Sequence, residues 1–245
     1  MTRRVLHILM GVCLLFSGEL IGQVSATTYS TTDRSILGYS GLLIVPTGRI
    51  VNERSFSLGA GYFSRGQTVL DASADRDVGE HVFFATVGFL SILEINVKLI
   101  RPNDIKDNFF GIGDRSYAAR LNVLRQERHG VDLSFGVSDW LAEASYLHSI
   151  YVVGSRTFAL SENPSWTLLT NLGYGNSVQD TRGNYLQGIF GGVSLNWRFL
   201  QSLLEYDGER WNAGLGVRYR EWFALRCSLL ALRQFGGSLS VSFKL

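Results

Sequence analysis

The hydrophobic pattern is clearest in residues 81–101. Leu93, Ile95, Val97 and Leu99 alternate there with Glu94, Asn96 and Lys98. A period of two puts the aliphatic residues on one face of a strand and the polar ones on the other. The same pattern returns about a dozen times. Strand-like segments fall near 54–64, 81–90, 92–101, 114–125, 130–138, 144–158, 165–176, 184–198, 201–207, 211–220, 222–233 and 237–245. In the tenth, Trp211, Ala213, Leu215, Val217 and Tyr219 oppose Asn212, Gly214, Gly216, Arg218 and Arg220. The sixth is apolar on both faces, and its register is open.

Almost no helical stretch separates these segments. No run after residue 26 approaches the ~20 apolar residues of a membrane helix. A chain of this kind can span a bilayer only as a closed barrel, in which every backbone hydrogen bond is satisfied. The pattern therefore predicts an all-β fold: a transmembrane antiparallel β-barrel of about twelve strands over residues 54–245. Gaps between segments run long, short, long, short, as in barrels with long outer loops and short periplasmic turns. Tyr62, Phe63, Trp140, Trp166, Tyr174, Trp197, Trp211, Tyr219 and Trp222 sit near strand ends, where interfacial girdles are expected.

Composition agrees with this picture. Charged residues are 18%, aromatics 12%, and 27 glycines occur among 245 residues. The three prolines, Pro46, Pro102 and Pro164, avoid strand interiors. Arg3 and Arg4, an apolar stretch to Phe16, and Val24-Ser25-Ala26 form a secretory signal peptide over residues 1–26. Its removal leaves 21 basic against 20 acidic residues and one cysteine, Cys227. No intrachain disulfide is then expected, and no nucleic-acid surface. The expected setting is the bacterial outer membrane, with lipid, lipopolysaccharide and the barrel-assembly machinery as general partners.

Residues 27–53 precede the first strand. Residues 27–34 read as polar and loose. Residues 38–49 (GYSGLLIVPTGR) form a compact, glycine-spaced unit. It is too short for a domain, so it reads as a cap, an inner strand and turn, or a plug in the lumen.

This unit resembles the N-terminal signature of YjbH-type outer-membrane proteins, through Gly41, Leu42, Pro46, Thr47 and Arg49. Residues 83–98 (FFATVGFLSILEINVK), 113–117 (GDRSY), 120–124 (RLNVL) and 138–140 (SDW) resemble its following blocks. The similarity covers roughly residues 36–160. It implies an accessory or conduit role in production and export of extracellular or capsular polysaccharide, with periplasmic export proteins as partners. It carries no catalytic residues. The family's better-known members are longer and look like two fused barrels, whereas this chain holds one.

Read by parity, Glu94, Lys98, Arg120, Asp132, Glu205, Arg218, Arg220, Arg226 and Lys244 face inward. Charges at bilayer depth are tolerated only in a lumen or in pairs. They could guide an anionic sugar chain or pair into a network that fills a narrow barrel. Arg49 could reach an inward carboxylate such as Glu94 and pin the segment, or be a solvated turn residue. Asp114-Arg115 could order an outer loop.

A passive small-solute porin is the alternative, with 102–113, including Phe109 and Phe110, as a constriction loop. An outer-membrane hydrolase is a third reading. It needs a His beside a hydroxyl nucleophile, and His148 is the one mid-strand histidine, with Ser149 on the opposite face. Asp71, Asp75 and Asp77 could bind Ca²⁺, but their spacing matches no EF-hand. No metal or other cofactor is expected.

Overall fold

A computed structural model describes residues 33–64, 79–103, 113–141, 147–160, 165–177 and 185–245. The signal peptide, the carboxylate-rich loop at 71–77 and the Phe109-Phe110 stretch lie outside these residues.

Twelve strands follow one another: β1 Ser55–Phe63, β2 Glu80–Phe89, β3 Leu93–Pro102, β4 Asp114–Leu124, β5 Asp132–Ser138, β6 Ser149–Ala159, β7 Trp166–Asn176, β8 Gly188–Trp197, β9 Leu200–Tyr206, β10 Trp211–Tyr219, β11 Phe223–Leu230 and β12 Gln234–Lys244. A helical turn, α1 (Gln126–His129), joins β4 to β5. Each strand pairs antiparallel with its sequence neighbours, and β12 closes on β1. Closure leaves no sheet edge, as hydrocarbon requires.

The faces are inverted relative to a water-soluble protein. The buried residues along β3 are Glu94, Asn96, Lys98 and Ile100, three of them polar, while Leu93, Ile95, Val97 and Leu99 look outward. Along β12 the buried residues are Ser238, Ser240 and Ser242. The outside carries large apolar side chains, such as Leu215 at 66% exposure and Phe135 at 53%. A surface of this size and polarity faces lipid, not water.

Aromatics ring both ends. Trp166 stacks on Trp197 at 5.5 Å, and Tyr219 meets Trp222 edge-on at 5.8 Å. At the other end Tyr206 packs on Trp211 at 5.4 Å, and Trp140 and Tyr174 are exposed at the same end. Phe63 corrects the predicted girdle. It is fully buried, because parity in β1 turns it inward with Ser57 and Gly61. In β6, Ser149, Tyr151, Val153, Ser155 and Thr157 face inward and Ile150 outward, which fixes the open register. β6 starts at Ser149, so His148 precedes the strand instead of lying within it.

Turns differ between the two ends. At the end where β1 begins and β12 finishes, 90–92, 198–199 and 220–222 are tight. Leu90 and Ser91, the first two residues of the three-residue β2–β3 connection, both take positive φ (51° and 57°). At the opposite end 64–79, 103–113, 139–148 and 177–187 are longer, while 207–210 and 231–233 are short.

The lumen is filled. Residues 33–52 enter at the tight-turn end, fold back within the barrel and leave beside β1. Among the described residues their β-pairings are single bridges, Arg34 to Ser40 and Gly41 to Pro46. Ile36, Leu37, Leu43, Ile44 and Val45 are fully buried. They form the apolar core with Tyr151, Phe190, Leu203 and other inward wall residues. Wall glycines make the room: a Cβ at Gly214 or Gly192 would lie 2.6 Å from Leu43 Cδ2 or 2.7 Å from Leu42 Cδ1.

Leu215→Arg places a charge near mid-height on the lipid face. It should destabilise the folded barrel by about 2–4 kcal/mol, read by urea unfolding in lipid vesicles. A neutral outcome would mean that this face does not meet hydrocarbon.

Candidate functional site

An irregular segment inside a barrel exposes backbone N–H and C=O groups that no strand satisfies. Each left unpaired costs about 1–3 kcal/mol. Here inward charges on β3, β4, β9, β10 and β11 meet that need.

Glu94 on β3 and Arg120 on β4 are direct cross-strand partners. Their ion pair is 3.1 Å and both side chains are buried. Glu94 accepts from Ser40 N (3.0 Å), Ser40 Oγ (2.5 Å) and Val51 N (2.8 Å). Arg120 donates to the carbonyls of Ser40 (2.7 Å) and Thr47. One ion pair thus ties together three points of the segment.

Glu205 on β9 is fully buried and acts alone. Its carboxylate accepts from three successive amides, Leu43 (2.8 Å), Ile44 (2.8 Å) and Val45 (3.2 Å). Asn212 Nδ2 donates to it at 3.1 Å. Consecutive N–H groups converging on one anion make a nest; here the anion belongs to the wall.

Arg226 on β11 serves the carbonyls. It donates to Leu42 O (2.6 Å), Gly41 O (3.1 Å) and Arg34 O, and reaches Asp33 Oδ1 at 3.1 Å. Arg218 on β10 holds the other Asp33 oxygen at 3.2 Å. Neutral side chains finish the cradle. Asn122 donates to Gly48 O (3.0 Å), Asn171 to Pro46 O (2.8 Å) and Thr86 to Gly38 O (2.6 Å). Tyr39 bonds Ile44 O and the Tyr185 hydroxyl. Burial lowers the Arg34 pKa to about 10, against the pull of Glu94 and Asp33, so it stays cationic at neutral pH. Burial raises the Tyr39 pKa, which keeps the phenol neutral.

The sequence-predicted residues divide into two groups. Glu94, Arg120, Glu205, Arg218 and Arg226 converge on the segment. Of the motif residues, Gly41, Leu42, Pro46 and Thr47 offer the carbonyls that the wall binds. Lys98 is buried with Nζ 5.5 Å from the Tyr39 ring centre. Asp132 is buried and accepts from Gln126 N (3.1 Å) at the start of α1, and it lines the same small cleft as Arg49 of the segment.

Three expectations are corrected. Arg49 does not reach Glu94; it pairs with Glu127 of α1 at 3.1 Å, where both are part-exposed, because Arg120 already occupies Glu94. Arg220 is not inward: it sits in the β10–β11 turn with φ 53°, 5.5 Å over the Tyr219 ring. Lys244 is exposed at the barrel rim, not buried in the lumen. Asp114 and Arg115 are likewise exposed. His148 Nδ1 lies 3.1 Å from Ser177 Oγ.

Sequence reasoning missed Asp33 and Arg34, which were grouped with the loose N-terminus. Arg218 and Arg226 face inward on adjacent strands with no acid between them. That excess was the signal that an acid must come from elsewhere.

A closed, even-stranded antiparallel barrel with an apolar exterior, aromatic girdles and a polar interior is the outer-membrane class of β-barrel. No protein-family model and no curated protein matches the chain. Solved structures with a similar fold include one of engineered proteins with asymmetric conductivity (12% identity, 74% of this chain and 58% of that one, TM-score 0.31). Another is Wzi of Escherichia coli, described as an outer-membrane, carbohydrate-binding β-barrel involved in group 1 capsule assembly (12% identity, 75% and 56%, TM-score 0.30). A third is a mutant of the Rh. blastica porin (9% identity, 78% and 98%, TM-score 0.31). The chain spans 58% and 56% of the length of the first two.

Glu205→Ala leaves three buried amides unpaired and should cost about 3–5 kcal/mol. Arg49→Ala removes a part-exposed side chain that pairs with Glu127 and should cost about 1 kcal/mol or less. Urea unfolding in detergent micelles, with protease access to residues 33–52, compares the two. Equal effects would contradict the assignment of anchors.

Proposed function

We propose that this protein is an outer-membrane barrel closed by its own N-terminal segment, serving as a non-enzymatic accessory or conduit in export of extracellular polysaccharide. One observation carries the reading. Residues 33–52 fill the lumen and are held by inward charges from five strands, buried on four of them. A passive pore has no use for such a filling. A gate does, because it must stay shut until the right signal or cargo arrives.

The tight turns mark the end that would face the periplasm. Both ends of the segment lie there: Asp33 against Arg218, and Asn52 three residues before Ser55. Withdrawal would therefore run toward periplasmic partners without threading the barrel. The polysaccharide assignment draws its support from the resemblance of residues 36–160 to YjbH-type proteins. The carbonyls of Gly41, Leu42, Pro46 and Thr47, four residues of its first motif, are among those that the wall binds.

Two assays test the proposal. In planar bilayers the intact protein should be silent, and deletion of residues 33–50 should give steady openings. Glu205→Ala combined with Arg226→Ala should give intermittent ones. Steady openings from the intact chain would instead establish a passive porin. In the native host, loss of the gene should reduce surface polysaccharide, restored by wild type but not by the double variant. Unchanged polymer would overturn the export role.

A further inference from the structure

The segment does not fill the barrel evenly. Between it and the β6–β9 wall, at the tight-turn end, lies a cavity of about 50 Å³. Its wall side carries Thr157, Thr167, Ser194, Asn196 and Gln201, neutral groups that are nearly or fully buried. Four of them form a chain across three strands. Gln201 Nε2 donates to Ser194 Oγ (3.0 Å), Ser194 Oγ to Asn196 Oδ1 (3.2 Å), and Asn196 Nδ2 to Thr167 Oγ1 (3.3 Å).

Two side-chain atoms of the cavity's lining residues, Gln201 Oε1 and Thr157 Oγ1, are buried with no hydrogen-bond partner among the described residues. One is an acceptor; the other both donates and accepts. Buried polar atoms left in this state are rare and call for a partner. Charges at the cavity's edge do not supply one. Arg218 is committed to Asp33, Arg34 to Ser57 and Ser40, and Arg49 to Glu127.

We infer that this cavity is a periplasm-facing subsite for one neutral sugar residue. The inference rests on the conduit reading and names its ligand class. A sugar edge offers hydroxyls that donate and accept together, which is what the unfilled atoms require. An anion would find the cations already paired. Size sets the limit: at about 10–15 Å³ per water, the cavity holds a few waters or the hydroxyl edge of one ring, and not a chain. Its opposite wall is the segment itself, including Leu42 and Val51. A longer saccharide can therefore enter only by displacing the segment, so recognition and opening share one surface.

The test titrates the purified full barrel in detergent with neutral gluco-, galacto- and mannotrioses, and with trigalacturonate, by calorimetry. At least one neutral trisaccharide should bind saturably, at least about tenfold tighter than trigalacturonate. Gln201→Leu and Thr157→Val should each weaken it by about tenfold, the scale of one buried hydrogen bond. Heat-modifiable gel mobility confirms that each variant is folded, and Thr157→Val preserves shape. Absence of binding by every neutral sugar, tighter binding of trigalacturonate, or unchanged binding by both variants would overturn the subsite. Failure here alongside polymer loss in the null strain would leave the conduit standing and remove only this site. Sugar binding with unchanged polymer would keep the site and reject the conduit.

Discussion

A carboxylate in a low-dielectric interior needs donors, and an irregular backbone in a barrel needs acceptors. Glu205 meets both needs at once. Its two oxygens take the amides of Leu43, Ile44 and Val45, so that a stretch with no strand partner becomes part of the wall. Glu94 with Arg120 does the same for Ser40 and Val51, and Arg226 for the carbonyls of Gly41 and Leu42. Removing the segment would strand these charges in the lumen, and removing the charges would strand the segment. Each side explains the presence of the other.

This mutual need shapes the wall. Apart from Phe63, the inward positions of β1 are serines and glycines, and serines and Gly236 are the buried ones on β12, which leaves space. Inward positions are charged on β3, β4, β9 and β11, where the segment turns back on itself. The apolar residues inside come from both sides: Ile36, Leu37 and Leu42 to Val45 of the segment pack against inward residues of the wall such as Phe84, Tyr151, Phe190 and Leu203. The barrel therefore has two apolar layers, one facing lipid and one at its axis, separated by a cylinder of hydrogen-bonded backbone and polar side chains.

Most of the barrel was legible because alternation is a local signal. Leu93 to Leu99 declares its faces without knowledge of any partner, and all twelve strands could be placed within a few residues. Phe63 was misplaced although its own parity in β1 points inward; the general association of aromatics with rims misled there. The path of residues 33–52 was not legible, because nothing local says which wall charge meets which amide. Arg49 illustrates this. Its place in the motif suggests an anchor, yet Glu94 is taken by Arg120, its neighbour across the sheet, and Arg49 turns to Glu127 on α1. Parity alone turns Glu205 inward, but three amides converging on it depend on a fold-back within the lumen, which periodicity does not encode.

Amide hydrogen exchange in lipid bilayers tests the central claim most directly. If Glu205 and its companions hold the segment in the lumen, the amides of Leu43, Ile44 and Val45 should exchange as slowly as interior amides of β9 and β10. They should speed up sharply in Glu205→Ala while the strands stay protected. Exchange in the intact protein as fast as that of the exposed α1 turn would show that the segment does not reside in the barrel, and would contradict the account.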